Sequence, residues 1–437
     1  MLKYYFRKAV FLLTGNSWLL WIKFKLLFQR PLKNNFLSRK VTHINFNETG
    51  GGAYNFASSL HRSIEEKYFT SEMLVINKSS DDHRVKMLVP NNNFTNGLND
   101  TFQYQNIFNI RFSELKRKID KGSIVHLNNL HPSFFSPYNI LFLSKRNKLV
   151  WTIHDMHPFT GHCAHSFNCE KWLSDCKGCP DLSLYPLIEK DTAGELYRIK
   201  QSIYSKIRVT VVCPSEWIKR KVEKSILKNQ KIKIIYNGID VTVFKKSNKE
   251  EVRKKFDMPM EKKIILFSAN LGINNPFKGG EFVEKIIKSS FEENILFINV
   301  GGGKIVEKLP NLWNIPFISN PIEMAEYYSA ADIFLYPTLA DNCPLAVLEA
   351  MACGLPVLTF NVGGVPELVQ HNKTGYIAQY KNFEDLYNGL LVLLNNAELR
   401  MEMSANAISR VKENFTLEMM SENYLKLYEE VLNERIE

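Results

Sequence analysis

Short apolar runs alternate with amphipathic stretches of helical period along most of the chain. That alternation predicts parallel sheets covered by helices on both faces. In the first half the runs predict strands over 42–47, 71–75, 124–128, 148–154, 209–213 and 233–236, with a helix over 54–64 after the first. Charged residues crowd 245–263 and break the series. A second series starts at 264–268 and continues through 295–300, 333–336, 357–360 and 376–378, before a helical region from 397 onward. The break divides the chain into two α/β lobes, 36–244 and 264–415, with a charged linker over 245–263, an arm over 1–35 and a last helix over 416–437. At 437 residues and 45% hydrophobic side chains, each lobe has enough material for its own core.

One stretch breaks the usual pairing of apolar and charged positions. Between Asp341 and Glu367 the sole charged side chain is Glu349, inside an otherwise apolar or uncharged run from Asn342 to Val357. The run predicts a helix with Asp341 and Asn342 as caps, Pro344 in its first turn and Gly354-Leu355-Pro356 as its stop. Such a helix is buried almost all round, and a carboxylate within it needs several hydrogen bonds. The vicinal diol of a ribose supplies two. Glu349 therefore reads either as a ribose-binding acid or as a side chain that snorkels to solvent along one helical edge. The strand over 357–360 then ends in Gly363-Gly364-Val365-Pro366-Glu367, where the glycine pair permits close backbone approach.

Together, Asp341-x7-Glu349, the run from Glu349 to Val357 and the Gly363-to-Glu367 turn resemble the donor site of retaining glycosyltransferase family 4. Within that family they are most similar to the bacterial members that build capsule, colanic-acid or O-antigen polysaccharide. The resemblance extends over residues 40 to 400. It implies the GT-B fold, two Rossmann-like lobes facing across a cleft, the first on the acceptor side and the second binding the nucleotide sugar. It also implies transfer of a hexose-type sugar from a nucleoside-diphosphate sugar to a polysaccharide or lipid-linked oligosaccharide in the cytoplasm, with no cofactor required for catalysis. The chain departs from the family at two places. Asp341 stands where the family usually has Glu, and 268–272 lacks the arginine that usually accompanies the donor-site lysine.

That lysine is Lys278, which follows the first strand of the second lobe. A fixed ammonium beside a departing diphosphate stabilises the charge that grows in the transition state, and here it replaces a metal. The plain alternative is a solvated surface lysine. The resemblance makes His154, Lys278 and Asp341 the catalytic group. Donor contacts fall to Gly51, Gly52, Gly272, Lys278, Asn342, Cys343, Leu345 and Glu349. His154 follows Trp151-Thr152-Ile153 at a strand end, where side chains face the cleft, although a lone histidine is also commonly structural. Gly50-Gly51-Gly52 exposes amides at a predicted helix start, suited to a diphosphate and equally to a flexible turn.

Four of the seven cysteines, Cys163, Cys169, Cys176 and Cys179, fall within one loop over 158–186. Their spacing fits a structural zinc site that pins the loop beside the acceptor pocket. Disulfides are the rival, with three pairings, in a compartment where thiols stay reduced. The formal charge of +11 is concentrated at one end. Residues 1–40 carry nine Lys or Arg and no acid, leaving 47 basic against 45 acidic side chains, +2, in the rest. With no recurring basic and aromatic stripe, nucleic acid is not expected as a partner. The arm over 1–35 mixes basic and aromatic residues, and its longest charge-free run, 14 residues, is too short to span a bilayer. It fits either a membrane-surface anchor or an added helix on the first lobe. A nucleotide-sugar epimerase of the same two-lobe fold is the alternative reading of the whole chain.

Overall fold

The computed structural model describes residues 39–64, 69–89, 111–130, 135–289, 294–302 and 311–434, so the expected arm lies outside the described residues. Seven parallel strands form the first sheet: β1 (Lys40–Ile44), β2 (Thr70–Val75), β3 (Val85–Met87), β4 (Ile124–Leu127), β5 (Lys148–Thr152), β6 (Thr210–Cys213) and β7 (Lys231–Ile234), in the order β3-β2-β1-β4-β5-β6-β7. Six form the second: β8 (Lys263–Ser268), β9 (Ile295–Val300), β10 (Leu312–Ile315), β11 (Ile333–Tyr336), β12 (Val357–Phe360) and β13 (Gly375–Ala378), also parallel, in the order β10-β9-β8-β11-β12-β13. Central strands are buried along their whole length, as in β9, because helices cover both faces. The expected pair of α/β sheets is present.

Several boundaries differ from the sequence pattern. Strand β1 runs over Lys40–Ile44, beginning and ending earlier than the pattern over 42–47 predicts. Strands β3 and β10 escape a pattern search because both are short edge strands with exposed positions. The charged stretch 245–263 is no free linker. It holds a helix, Lys249–Lys255, and buries Arg253, which pairs with Asp332 at 2.9 Å and donates to the carbonyls of Ala330, Pro259, Met260 and Lys262.

The last helix, Leu417–Asn433, crosses back onto the first sheet. Its Tyr428 hydroxyl meets His126 Nδ1 at 2.7 Å, its Tyr424 hydroxyl meets Thr152 Oγ1 at 2.8 Å, and Thr152 in turn bonds His126 Nε2 at 2.7 Å. His43 and His61 lie beside this group, with ring centroids 5.0 Å from His126 and 6.0 Å apart respectively from His43. All three histidines are fully buried.

The lobes are joined at their carboxyl edges by side chains that serve the opposite lobe's backbone. From the turn after β11, Asn342 Nδ2 donates to the carbonyls of Ile153 (3.0 Å) and His154 (3.1 Å), and its Oδ1 meets Ser215 Oγ at 2.5 Å. Asn237 of the first lobe returns a bond to the Cys343 carbonyl at 2.8 Å. Glu367 accepts from the amides of Glu216 and Trp217, both at 2.7 Å, and from the Tyr236 hydroxyl at 3.0 Å. A carboxylate on two amides at a helix start is a charge-assisted cap.

Two predictions follow from these contacts. Replacing Glu367 with Ala orphans two amides and lowers stability by about 2 kcal/mol, whereas Gln retains part of it. Equal melting temperatures for wild type and Glu367→Ala in calorimetry would remove the cap from the account. The second concerns acid. Burial, reinforced by the charge of His154, pushes His126 down to about 3, and burial with nearby Arg84 pushes His61 down to about 4. In the unfolded chain both titrate near about 6.5, so the folded state binds fewer protons. Their contribution is complete above pH about 6.5 and is lost as pH falls through about 4 toward 3. The melting temperature is expected to drop steadily below pH 6.5, less steeply in His126→Asn; a value unchanged from pH 7 to 4.5 contradicts neutral burial.

Candidate active site

Each sheet reverses its strand order beside its first strand, between β1 and β4 and between β8 and β11, the position at whose carboxyl edge open α/β sheets form their ligand crevice. In the second lobe the chain leaves β8 through Leu271 and Gly272 and turns at Lys278 into the helix Gly280–Ser289. The turn is packed against the end of β11: a Cβ on Gly279, at φ +68°, would lie 2.0 Å from the Pro337 carbonyl. Lys278 is thereby fixed beside the residues that follow β11. Its Nζ bonds the Tyr336 hydroxyl at 2.7 Å and forms an ion pair with Asp341 Oδ2, to which Tyr336 also donates at 2.6 Å. Burial pushes the Asp341 carboxyl up, but the Lys278 ammonium and the bonds from Lys278 and Tyr336 outweigh it and hold the group below the usual carboxylate range. The three side chains form one neutral, hydrogen-bonded unit.

Asp341 and Asn342 do not cap the following helix as expected. The helix spans Leu345–Ala352 with Pro344 at its N-cap position, and both residues lie in the turn ahead of it. Asp341 Oδ1 instead accepts from the amide of Asn342 at 3.0 Å. The glycine pair holds that turn from below, since a Cβ on Gly363 (φ +62°) would come within 1.8 Å of the Asp341 carbonyl and one on Gly364 within 2.0 Å of the Asn342 carbonyl. Close approach is realised here. Cys343 and Leu345 are buried at the helix start, where the first-turn amides have no helical partners.

Glu349, half-buried on the same helix, accepts from the Tyr328 hydroxyl at 3.2 Å. Burial pushes its carboxyl up to about 7, with the Tyr328 bond pulling the other way. Against the snorkelling alternative stands the Tyr328 bond, which holds the carboxylate toward the preceding helix. Burial first, then Asp341 and also Glu349, raise the Tyr336 hydroxyl well above its ordinary value, so both acids share one neighbourhood with it.

The first lobe contributes His154, two residues beyond β5 rather than within a strand to 154. Its Nε2 stands 3.5 Å from Asn128 Oδ1, and its ring meets Phe56 edge-on at 4.8 Å. Asn342 binds the His154 carbonyl, so the histidine and the Lys278–Asp341 unit lie on facing edges of one cleft. Gly51 is the N-cap residue of the helix Gly52–Ser63, and neither it nor any side chain caps that start, leaving amides at the crevice of the first sheet. Gly272 differs from expectation. Its amide is already given to the Ala269 carbonyl at 2.8 Å, so its part is to form the turn before Lys278.

All four loop cysteines, Cys163, Cys169, Cys176 and Cys179, line one small cavity of about 20 Å³ with His162 and Trp172. No group of three or more His, Cys, Asp or Glu side chains among the described residues is arranged to hold a metal ion. The sulfurs are engaged otherwise: Cys176 Sγ accepts from the Gly161 amide at 3.2 Å, and Cys179 Sγ lies 3.2 Å from His162 Nε2. Burial pushes the Cys163 and Cys176 thiols up to about 12 and 11, favouring the protonated form. The expected zinc set converges without forming a coordination geometry, and no step below passes through a metal. The loop carries two short 3₁₀ turns, His157–Phe159 and Lys171–Leu173.

Sequence reasoning missed Tyr336, Tyr328, Ser215 and Asn237. Tyr336 had a signal, as the last residue of a buried strand five residues ahead of Asp341; Ser215 and Asn237 lie far from it in sequence, and Tyr328 lies in the preceding helix.

Comparison with known proteins agrees with this geometry. The glycosyltransferase family 4 pattern matches residues 94–243, and the Glycosyl transferases group 1 pattern matches 248–410. N-acetyl-alpha-D-glucosaminyl L-malate synthase of Bacillus anthracis is 28% identical over 213 residues, 47% of this chain and 55% of that protein. The match thus spans about half the length of that relative. The Escherichia coli K12 protein provisionally named colanic acid biosynthesis glycosyl transferase WcaC is 22% identical over 337 residues, 73% of this chain and 80% of its own. Among solved structures, Anabaena HepE in complex with UDP-glucose superposes with a TM-score of 0.65 at 14% identity, covering 90% of this chain and 99% of HepE. No helix of the described residues is long and apolar enough to cross a membrane. Two sheets with crevices face to face, one lobe matched to each pattern, make the chain a family 4-like glycosyltransferase protein of GT-B architecture.

Proposed function

We propose that the chain transfers a hexose-type sugar from a nucleoside diphosphate to a hydroxyl of a growing polysaccharide or lipid-linked oligosaccharide, retaining the configuration at the transferred carbon. The observation that carries this reading is the Lys278–Asp341–Tyr336 unit at the β8/β11 crevice, with Glu349 behind it and His154 across the cleft. HepE was solved with UDP-glucose and WcaC is named for colanic acid synthesis, which supports both the donor class and a surface-polysaccharide product.

In this reading the ribose diol donates to Glu349, and the diphosphate lies over Lys278 and the first-turn amides of the Leu345–Ala352 helix. The bond between the sugar's anomeric carbon and the diphosphate oxygen breaks while the acceptor oxygen bonds to that carbon from the same face. The departing phosphate oxygen takes the acceptor's proton. Lys278 stabilises the charge that develops there, and His154 donates to a hydroxyl of the transferred sugar. No paired carboxylates are needed. In this reading the basic and aromatic composition of residues 1–35 suits attraction to an anionic membrane surface near the reaction.

Lys278→Ala is expected to lower turnover by about 100-fold or more while thermal melting confirms a folded protein; near-normal transfer removes Lys278 from the chemistry. Because Glu349 titrates near about 7, its acceptor form gains with rising pH, so nucleoside-diphosphate affinity should increase from pH 6 to 8. Calorimetry on Glu349→Gln should show that increase abolished and binding weakened about tenfold. Affinity equal to wild type at pH 8 would refute the ribose contact.

A further inference from the structure

Resting on the donor reading above, the Lys278 site has an electrostatic deficit. The ammonium is matched by the Asp341 carboxylate, so the pair is neutral before any ligand arrives. A nucleoside diphosphate brings more than one further negative charge, and the stretch 268–272 supplies no arginine to meet it. The first-turn amides of the Leu345–Ala352 helix meet part of that charge, and a further side-chain donor from the opposite lobe would add to them.

The cysteine-rich loop of the first lobe crosses to this place. His165 sets its ring 5.4 Å from the ring of Phe277, tilted by 54°, and Phe167 stacks on the same ring at 6.1 Å. Phe277 immediately precedes Lys278, and its carbonyl accepts from Thr338 Oγ1 at 2.9 Å and from the Leu339 amide at 2.8 Å, on the path to Asp341. The loop presents the ring firmly. Ala164 on one side exchanges backbone bonds with Met156 (2.8 Å) and Tyr185 (2.7 Å), and Ser166 on the other bonds Met156 Sδ at 3.5 Å; both flanking residues are buried.

We infer that His165 is a donor-site residue, giving a ring N–H to the diphosphate from the first-lobe side while Lys278 holds it from the second. The cysteine-rich loop then belongs to the donor site as well as to the acceptor border, and donor affinity depends on the two lobes standing together.

The obvious rival is that His165 only packs on Phe277. His165→Phe keeps that ring contact and removes the donor. Binding of UDP, GDP, ADP and dTDP, and of the matching nucleosides by displacement, is measured by calorimetry on wild type and variant. The expected result is a loss of about tenfold for whichever diphosphate binds, with nucleoside affinity unchanged. An unchanged diphosphate affinity, or an equal loss for diphosphate and nucleoside, overturns the inference while leaving the donor reading intact. Wild-type protein that binds no diphosphate more tightly than its nucleoside overturns the donor reading itself.

Discussion

The constraint on which the rest of the molecule depends is the need to satisfy the amides at the start of the helix Glu216–Val222. Ser215, its N-cap, accepts from Ile218 within the first lobe, but the amides of Glu216 and Trp217 find their acceptor in Glu367 of the second. Helix starts leave such donors without partners, and leaving them so in a buried seam is costly. The two lobes therefore cannot be treated as independent bodies that happen to touch. Ser215 continues the network to Asn342, and Asn342 to the carbonyls that flank His154, so one chain of bonds runs from a helix start in one lobe to the active edge of the other.

The same seam fixes the chemistry. Asn342 adjoins Asp341, and the close fit of Gly363 and Gly364 beneath them leaves the turn little freedom. With that turn fixed, the short Asp341 side chain lies on Lys278 and Tyr336. Glu at this position would carry its carboxylate one methylene further. Departure from the family pattern thus has a physical counterpart in a tight ion pair.

The fold was largely legible because buried parallel strands announce themselves as apolar runs, and strands β5, β8, β9, β11 and β12 all do so. Edge strands β3 and β10 were hidden by their exposed positions, and the burial of Arg253 in a highly charged stretch was hidden because its ion-pair partner Asp332 and one of its carbonyl acceptors, Ala330, are more than seventy residues away. At the site, Lys278, Asp341 and Glu349 could be picked out from motif and local setting. Tyr336 offered only its place at the end of a buried strand, and Tyr328 nothing, since a tyrosine in a buried strand or helix looks like core until the carboxylate facing its hydroxyl is known. Gly272 shows a related ambiguity: a glycine signals an available amide and a required turn by the same letter, and here the amide bonds the Ala269 carbonyl.

The neutral pair at the centre also decides how the cleft must work. A buried ammonium stripped of its carboxylate is expensive, and so is the carboxylate alone, which is why each keeps the other in place in the absence of ligand. An incoming diphosphate can replace Asp341 as the partner of Lys278 only if the displaced acid retains a donor. Tyr336 is such a donor, because its hydroxyl bonds both members of the pair. The tyrosine stands at the end of β11, bonded to both charges and beside a seam built from the opposite lobe's backbone, which ties the pair to the rigid part of the fold.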